Sequence, residues 1–169
     1  MTATVALADT AGNSADRPVT VTAHADAGEV GPPERIGPGR WRLRWTLPAA
    51  LAGRTRAALS VEAGDASARA EVSLSPGAPA RLTLAPAESW TVADGRAEVR
   101  LLAEVGDADG NPVDAAPSAV PAQAGDLEPP RPDGPGRFTL VYRPREASAY
   151  GAEDLTVELP PLSARARAP

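Results

Sequence analysis

Residues 40–45 alternate strictly between charged and apolar side chains. Trp41, Leu43 and Trp45 fall on one side, and Arg40, Arg42 and Arg44 on the other. A period of two marks a strand with one buried face and one wet face. The alternation returns at Phe138, Leu140 and Tyr142. It returns again at Val99, Leu101, Ala103 and Val105 set against Glu98, Arg100, Leu102 and Glu104. Val19, Val21 and Ala23 alternate with Thr20, Thr22 and His24, while Leu59 with Val61 and Leu155 with Val157 supply further strands. Between these runs lie turns, for 19 Pro and 15 Gly in 169 residues break the chain often. Only residues 49–58 and 145–154 have a pattern that accommodates a helical turn. Short strands separated by Gly and Pro predict an all-β protein built from antiparallel β-sandwiches.

The runs also repeat. Gly37-Pro38-Gly39-Arg40-Trp41 is echoed by Gly134-Pro135-Gly136-Arg137-Phe138 at an offset of 97, and Ala27-Gly28-Glu29-Val30 by Ala124-Gly125-Asp126-Leu127 at the same offset. Leu59-Ser60-Val61-Glu62 meets Leu155-Thr156-Val157-Glu158 at 96, as Ser67-Ala68-Arg69-Ala70 meets Ser163-Ala164-Arg165-Ala166; Gly12-Asn13 meets Gly110-Asn111 at 98. A nearly constant offset means one fold used twice. The boundary is expected near Ser75-Pro76-Gly77, giving domains 1–76 and 77–169. Residues 78–98, with a strand at 81–84 and an Ala93-Asp94-Gly95 turn, have no counterpart in the first copy. The first domain is therefore expected to lack its first strand. Its open edge invites strand addition by upstream residues or another chain, and is where self-association is expected.

Composition narrows the chemistry. Aromatic residues are only 4% of the chain, so the cores rest mainly on Val, Leu and Ala. There is no Cys, one His, and every one of the 17 basic residues is Arg. Thiolate chemistry, disulfides, Cys- or His-cluster metal sites, Schiff bases and the lysine of a phosphate-binding loop all lack their residues. No enzyme activity and no cofactor are expected. A net charge of −5 without a basic stripe argues against nucleic acid. No stretch approaches the ~20 apolar residues of a membrane span. The N-terminus has neither the basic flank nor the apolar core of a secretion signal, so none is expected in this chain. Residues 1–76 carry 8 Arg against 8 acids, and residues 77–169 carry 9 against 14. The two copies are thus expected to present different surfaces.

Three pieces between residues 77 and 113 occur in a fixed order: Gly77-Ala78-Pro79-Ala80-Arg81-Leu82-Thr83-Leu84, then Ala93-Asp94-Gly95, then Val105-Gly106-Asp107-Ala108-Asp109-Gly110-Asn111-Pro112-Val113. Together they resemble the opening half of a bacterial immunoglobulin-like domain of the invasin/intimin group. Residues 135–144, PGRFTLVYRP, also resemble the corresponding segment of filamin-type immunoglobulin repeats. Both resemblances imply two tandem immunoglobulin-like sandwiches. The first implies a non-catalytic structural or adhesive segment of a bacterial cell-surface or secreted protein, placed outside the cell or in its envelope by a longer parent chain. The implied partners are other domains of that parent and a protein or glycan surface ligand. The competing reading is a carbohydrate-binding accessory module of a secreted enzyme.

Candidate site residues follow from the same patterns. Arg40, Arg42 and Arg44 set three guanidiniums along one face, suited to sulfated or phosphorylated glycans or an anionic surface. The alternative is an ordinary solvated sheet face balanced by neighbouring acids. Trp90 has no partner in the first copy and is the candidate for an exposed contact. Trp41 and Trp45 share a face with Leu43 and are expected in the core. Asp107, Asp109 and Asn111 have the spacing that opens a calcium loop, but the sixth position is Pro112 and the twelfth is Ser118. A plain turn is therefore the expectation there. His24, the lone imidazole, is expected at the surface.

Overall fold

The computed structural model describes residues 1–15, 18–87, 94, 96–146 and 152–168. Every regular element in it is a strand, and the chain divides into two compact units, Met1–Ser75 and Pro76–Pro169.

Unit 1 holds β1 (Thr2–Ala6), β2 (Val21–Ala25), β3 (Glu29–Val30), β4 (Glu34–Gly37), β5 (Arg40–Thr46), β6 (Arg56–Ala63) and β7 (Ala66–Ser73). One sheet is centred on β5, which pairs antiparallel with β1, β3 and β4; the other runs β2-β6-β7. β5 buries Trp41, Leu43 and Trp45 and exposes the intervening arginines, as its alternation dictates. Against them stand Leu59, Val61, Ala57 and Ala63 of β6. The indole Nε1 of Trp45 donates to the Ala27 carbonyl at 2.9 Å, which satisfies the one polar atom that this large ring takes inside.

Unit 2 holds β8 (Arg81–Pro86), β9 (Val99–Gly106), β10 (Ser118–Ala119), β11 (Gly125–Leu127), β12 (Arg131–Pro132), β13 (Arg137–Pro144), β14 (Glu153–Leu159) and β15 (Leu162–Ala168). One sheet runs β11-β13-β9-β8, with β12 also on β13; the other runs β10-β14-β15. Leu101, Leu140, Leu155, Val99 and Val157 form the centre of its core, each at most 1% exposed.

The registers show that β1–β7 are repeated as β9–β15, with β8 outside the repeat. Ala3 pairs with Leu43 as Leu101 pairs with Leu140. Leu59 and Val61 pair with Ala70 and Ala68 as Leu155 and Val157 pair with Ala166 and Ala164. The turns match as well. Gly39 and Gly136 sit at φ 62° and 64°, and a Cβ on either would come within 2.7 and 2.6 Å of the carbonyl oxygens of Leu7 and Val105. Those glycines also accept the Leu7 and Val105 amides, each at 2.8 Å. A left-handed turn pressed this closely onto a neighbouring backbone admits only glycine.

Two expectations need correction. Residues 49–58 contain no helical turn; Ala52 and Gly53 take positive φ values of 50° and 79°, the Arg54 N–H closes a turn onto the Leu51 carbonyl at 2.9 Å, and Arg56 already begins β6. Val19 and Thr20 stay outside β2, just after Pro18, which has no N–H to give a ladder. Of residues 145–154, those at 147–151 lie outside the described residues and Glu153 begins β14.

Candidate functional site

The outer face of β5 is the most cationic strand surface in unit 1. Arg40, Arg42 and Arg44 all point outward and are exposed. On β1 they face Ala6, Thr4 and Thr2, none of which carries charge. Glu34 of β4 stands across from Arg42 and meets it at 3.8 Å, with both side chains more than half exposed. Among the described residues, Arg40 and Arg44 make no ion pair. An exposed contact at 3.8 Å neutralises little, so the ladder keeps most of its positive field.

The corresponding face of β13 is different. Arg137 reaches Glu104 at 3.6 Å, and Thr139 Oγ1 donates to Asp133 at 3.1 Å. Arg143 bonds both Glu98 and Glu128, and Glu128 also takes Arg131 at 2.9 Å. The hydrogen bond from Arg143 holds the Glu128 carboxyl below its ordinary range, and the bonds to Glu98 and then Glu128 raise the Arg143 guanidinium. This cluster escaped the sequence reading because Glu98 lies just before β9, Arg143 on β13, Glu128 just after β11 and Arg131 on β12, and no single-strand spacing links them.

Asp107 and Asn111 lie in the turn after β9, 4% and 5% exposed. Asp107 Oδ1 accepts the amides of Asp109 at 3.0 Å and Asn111 at 2.8 Å; Oδ2 accepts Asn111 Nδ2 at 2.9 Å and the Gly77 amide at 2.8 Å. The Asn111 side-chain amide and then the Gly77 N–H pull the Asp107 pKa down to about 2. Four N–H donors occupy the carboxylate, while Asp109 points to solvent. This is a closed Asx turn that ties the start of unit 2 to β9. Among the described residues, no group of three His, Asp or Glu side chains is placed to hold a metal ion.

The remaining candidates do not converge. His24 is exposed on β2. Trp90, with Ala93 and Gly95 of the expected turn, lies outside the described residues; Asp94 accepts the Arg96 and Ala97 amides at 2.8 Å each. An open groove of about 620 Å³ in unit 2 is lined by Pro117, Pro121, Leu127, Pro129 and Arg145 among others. Its charged pair, Arg145 and Asp126 at 3.5 Å, satisfies itself.

No family model and no curated protein matches this chain. Solved structures do. InvD of Yersinia pseudotuberculosis is similar at a TM-score of 0.68 and 19% identity, over 99% of this chain and 51% of that one. Invasin, described as a bacterial integrin-binding protein, is similar at 0.67 and 17%, over 99% of this chain and 35% of that one. The fold is the tandem immunoglobulin-like sandwich of invasin-type proteins. The Escherichia coli adhesin FdeC is also similar, at 0.56 and 16%, over 99% of this chain and 59% of that one. The chain thus spans between a third and three-fifths of the length of these structures. In this invasin-type frame, the β5 arginine ladder and the β13 charge cluster are two versions of one outer face.

Proposed function

We propose that this chain is a non-catalytic segment of a bacterial cell-surface or secreted protein. Its two immunoglobulin-like domains, 1–76 and 77–169, would space and present a binding surface outside the cell or in its envelope. The observation that carries this reading is the outer faces: the same fold is used twice around two apolar cores, and the two copies differ in the charges they expose on β5 and β13. The adhesins that share the fold support it. The partners are neighbouring domains of a longer parent, a protein or glycan surface ligand, and a strand of another chain, or of a second copy, at the open edge of unit 1. Beads coated with the chain should adhere to host cells or extracellular matrix above uncoated beads. Equal adhesion by both sinks the adhesive reading.

Arg40 and Arg44, which make no ion pair among the described residues, favour a second reading, a carbohydrate-binding accessory module for anionic glycans, with Trp90 as an additional contact. A glycan array decides between them. Binding to sulfated glycans that disappears with Arg42→Ala and with salt supports the second reading; an empty array supports the first.

A further inference from the structure

The two sandwiches leave different backbones on the outer edge of their three-stranded sheets. β2 ends the β2-β6-β7 sheet, and β10 ends the β10-β14-β15 sheet. The registers make these strands counterparts. Thr22 and Ala23 stand opposite Glu62 and Val61, as Ser118 and Ala119 stand opposite Glu158 and Val157. The same spacing makes Val21 the counterpart of Pro117, and Ala25 the counterpart of Pro121.

Hydrogen bonding fixes which of these positions face outward. The Val120 amide donates to the Thr156 carbonyl at 3.0 Å, and in unit 1 the Asp26 amide donates to the Ala58 carbonyl at 3.1 Å. Asp26, His24 and Thr22 therefore turn their N–H groups toward β6, and alternation turns those of Val21, Ala23 and Ala25 to the open edge. Among the described residues, no acceptor outside the sheet reaches these three amides. In unit 2 two of the three outward donors are missing, because Pro117 and Pro121 have no N–H. Proline, charge and bulges are the ordinary guards of a sheet edge. β10 is flanked by the first. β4, an edge of the other sheet of unit 1, has Glu34, Arg35 and a bulge. β2, Val-Thr-Ala-His-Ala, has no proline, no acid or arginine, and an unbroken register with β6.

We propose that β2 is a self-association edge whose occupant is β2 of a second copy, added antiparallel about a twofold axis through Ala23. The strand is its own complement in that register. Ala23 meets the second copy's Ala23, and Val21 meets the second copy's Ala25. Both members of each facing pair carry outward N–H and C=O groups, so each pair exchanges two hydrogen bonds. Thr22 meets the second copy's His24 on the outer face, so no like charges stand opposite one another. A second folded copy also fits the border of this edge better than an isolated strand does. Val19 and Trp41 line, with Arg35, an open hollow of about 300 Å³ beside the start of β2, and Ile36 on β4 is 42% exposed. Joining the two β2 strands brings the β4 border of each copy toward the other, whereas a lone strand covers β2 only. The contact lies on the sheet opposite β1, does not depend on what covers β1, and goes beyond the adhesive reading.

Sedimentation of the full chain should show a monomer–dimer equilibrium. Hydrogen exchange at Val21, Ala23 and Ala25 should slow by roughly tenfold or more as the dimer forms, with Ala119 unchanged. Ala25→Pro copies Pro121, removes one outward N–H without touching the ladder to β6, and should weaken the dimer by roughly tenfold. Charge pairs on the exposed face give the same test without proline. Thr22→Lys with His24→Lys sets like charges opposite each other across the twofold and should weaken the dimer by roughly tenfold, while Thr22→Lys with His24→Glu sets opposite charges there and should restore it. The proposal is overturned if the chain stays monomeric at millimolar concentration, or if it dimerises with Val21, Ala23 and Ala25 still fast. It is equally overturned if these amides are already slow in the monomer, or if the two charge variants dimerise alike.

Discussion

Trp45 and Tyr142 occupy one position in the two units, and each must bring a polar atom into an apolar core. Trp45 does so with a main-chain partner, donating to the Ala27 carbonyl. Tyr142 donates its hydroxyl to Glu153, whose other oxygen accepts the Gln123 and Ala124 amides. The residue standing at the Glu153 position in unit 1 is Ala57, 1% exposed. A repeated backbone therefore constrains where the large ring goes, and the neighbours decide how its polar atom is satisfied. The same contrast runs through the outer faces: unit 2 neutralises its β13 face with Glu98, Glu104 and Glu128, while β5 of unit 1 presents the arginines with one exposed ion pair among the described residues.

The largest expected effect tests the shared part. Trp41→Ala or Trp45→Ala should cost unit 1 about 3–5 kcal/mol, and Phe138→Ala should cost unit 2 a similar amount, read from denaturation midpoints. Wild-type midpoints for the tryptophan variants would mean that these rings do not hold the core. Next comes the edge. Ala166→Asp places an unpaired charge beneath β8 and should destabilise unit 2 by about 3 kcal/mol. Its counterpart Ala70→Asp should stay within about 0.5 kcal/mol, as exposed substitutions do. Equal losses would show that β7 is covered in solution.

Smaller effects sharpen the polar contrast. Tyr142→Phe removes one partner of a part-buried carboxylate and should cost about 1–3 kcal/mol. Trp45→Phe loses one neutral hydrogen bond along with ring volume, and its midpoint should shift for both reasons. Burial pushes the Glu153 carboxyl up, but the Tyr142 hydroxyl and the two amides outweigh it and hold the pKa low. Asp107 is held at about 2. Carboxyls with folded pKa values below their unfolded ones contribute stability that is complete above about pH 4 and is lost as pH falls toward 2. Unit 2 should weaken across that window, and Asp107→Asn should flatten the slope. A midpoint independent of pH between 4 and 2 would exclude these carboxylates as stabilising groups. Smallest of all, Arg42→Ala should move the unit 1 midpoint by less than about 0.5 kcal/mol, because its ion pair is exposed.

The long alternating strands were legible because seven or eight residues of period two leave one solution for which face is buried. β5, β9 and β13 came directly from that pattern, and the repeat offset placed β6 with β14 and β7 with β15. Two-residue strands such as β3, β10 and β12 have no period to read and exist only because a neighbouring strand offers a ladder. The Asp107 bond to Gly77 joins residues 30 apart and the Arg143 cluster joins three segments, so neither leaves a local signature.

Alternation and repetition by themselves determined that this chain is all-β, that it uses one sandwich twice, and that the tryptophans of β5 go inward and its arginines outward. Tertiary structure decided which of the repeated residues are covered. Ala68 and Ala70 read the same as Ala164 and Ala166 in sequence and sit in the same register, yet one pair is exposed and the other buried. The physical reason is that burial is a property of what lies on top of a side chain, and over β15 that is β8, a strand distant from it in sequence.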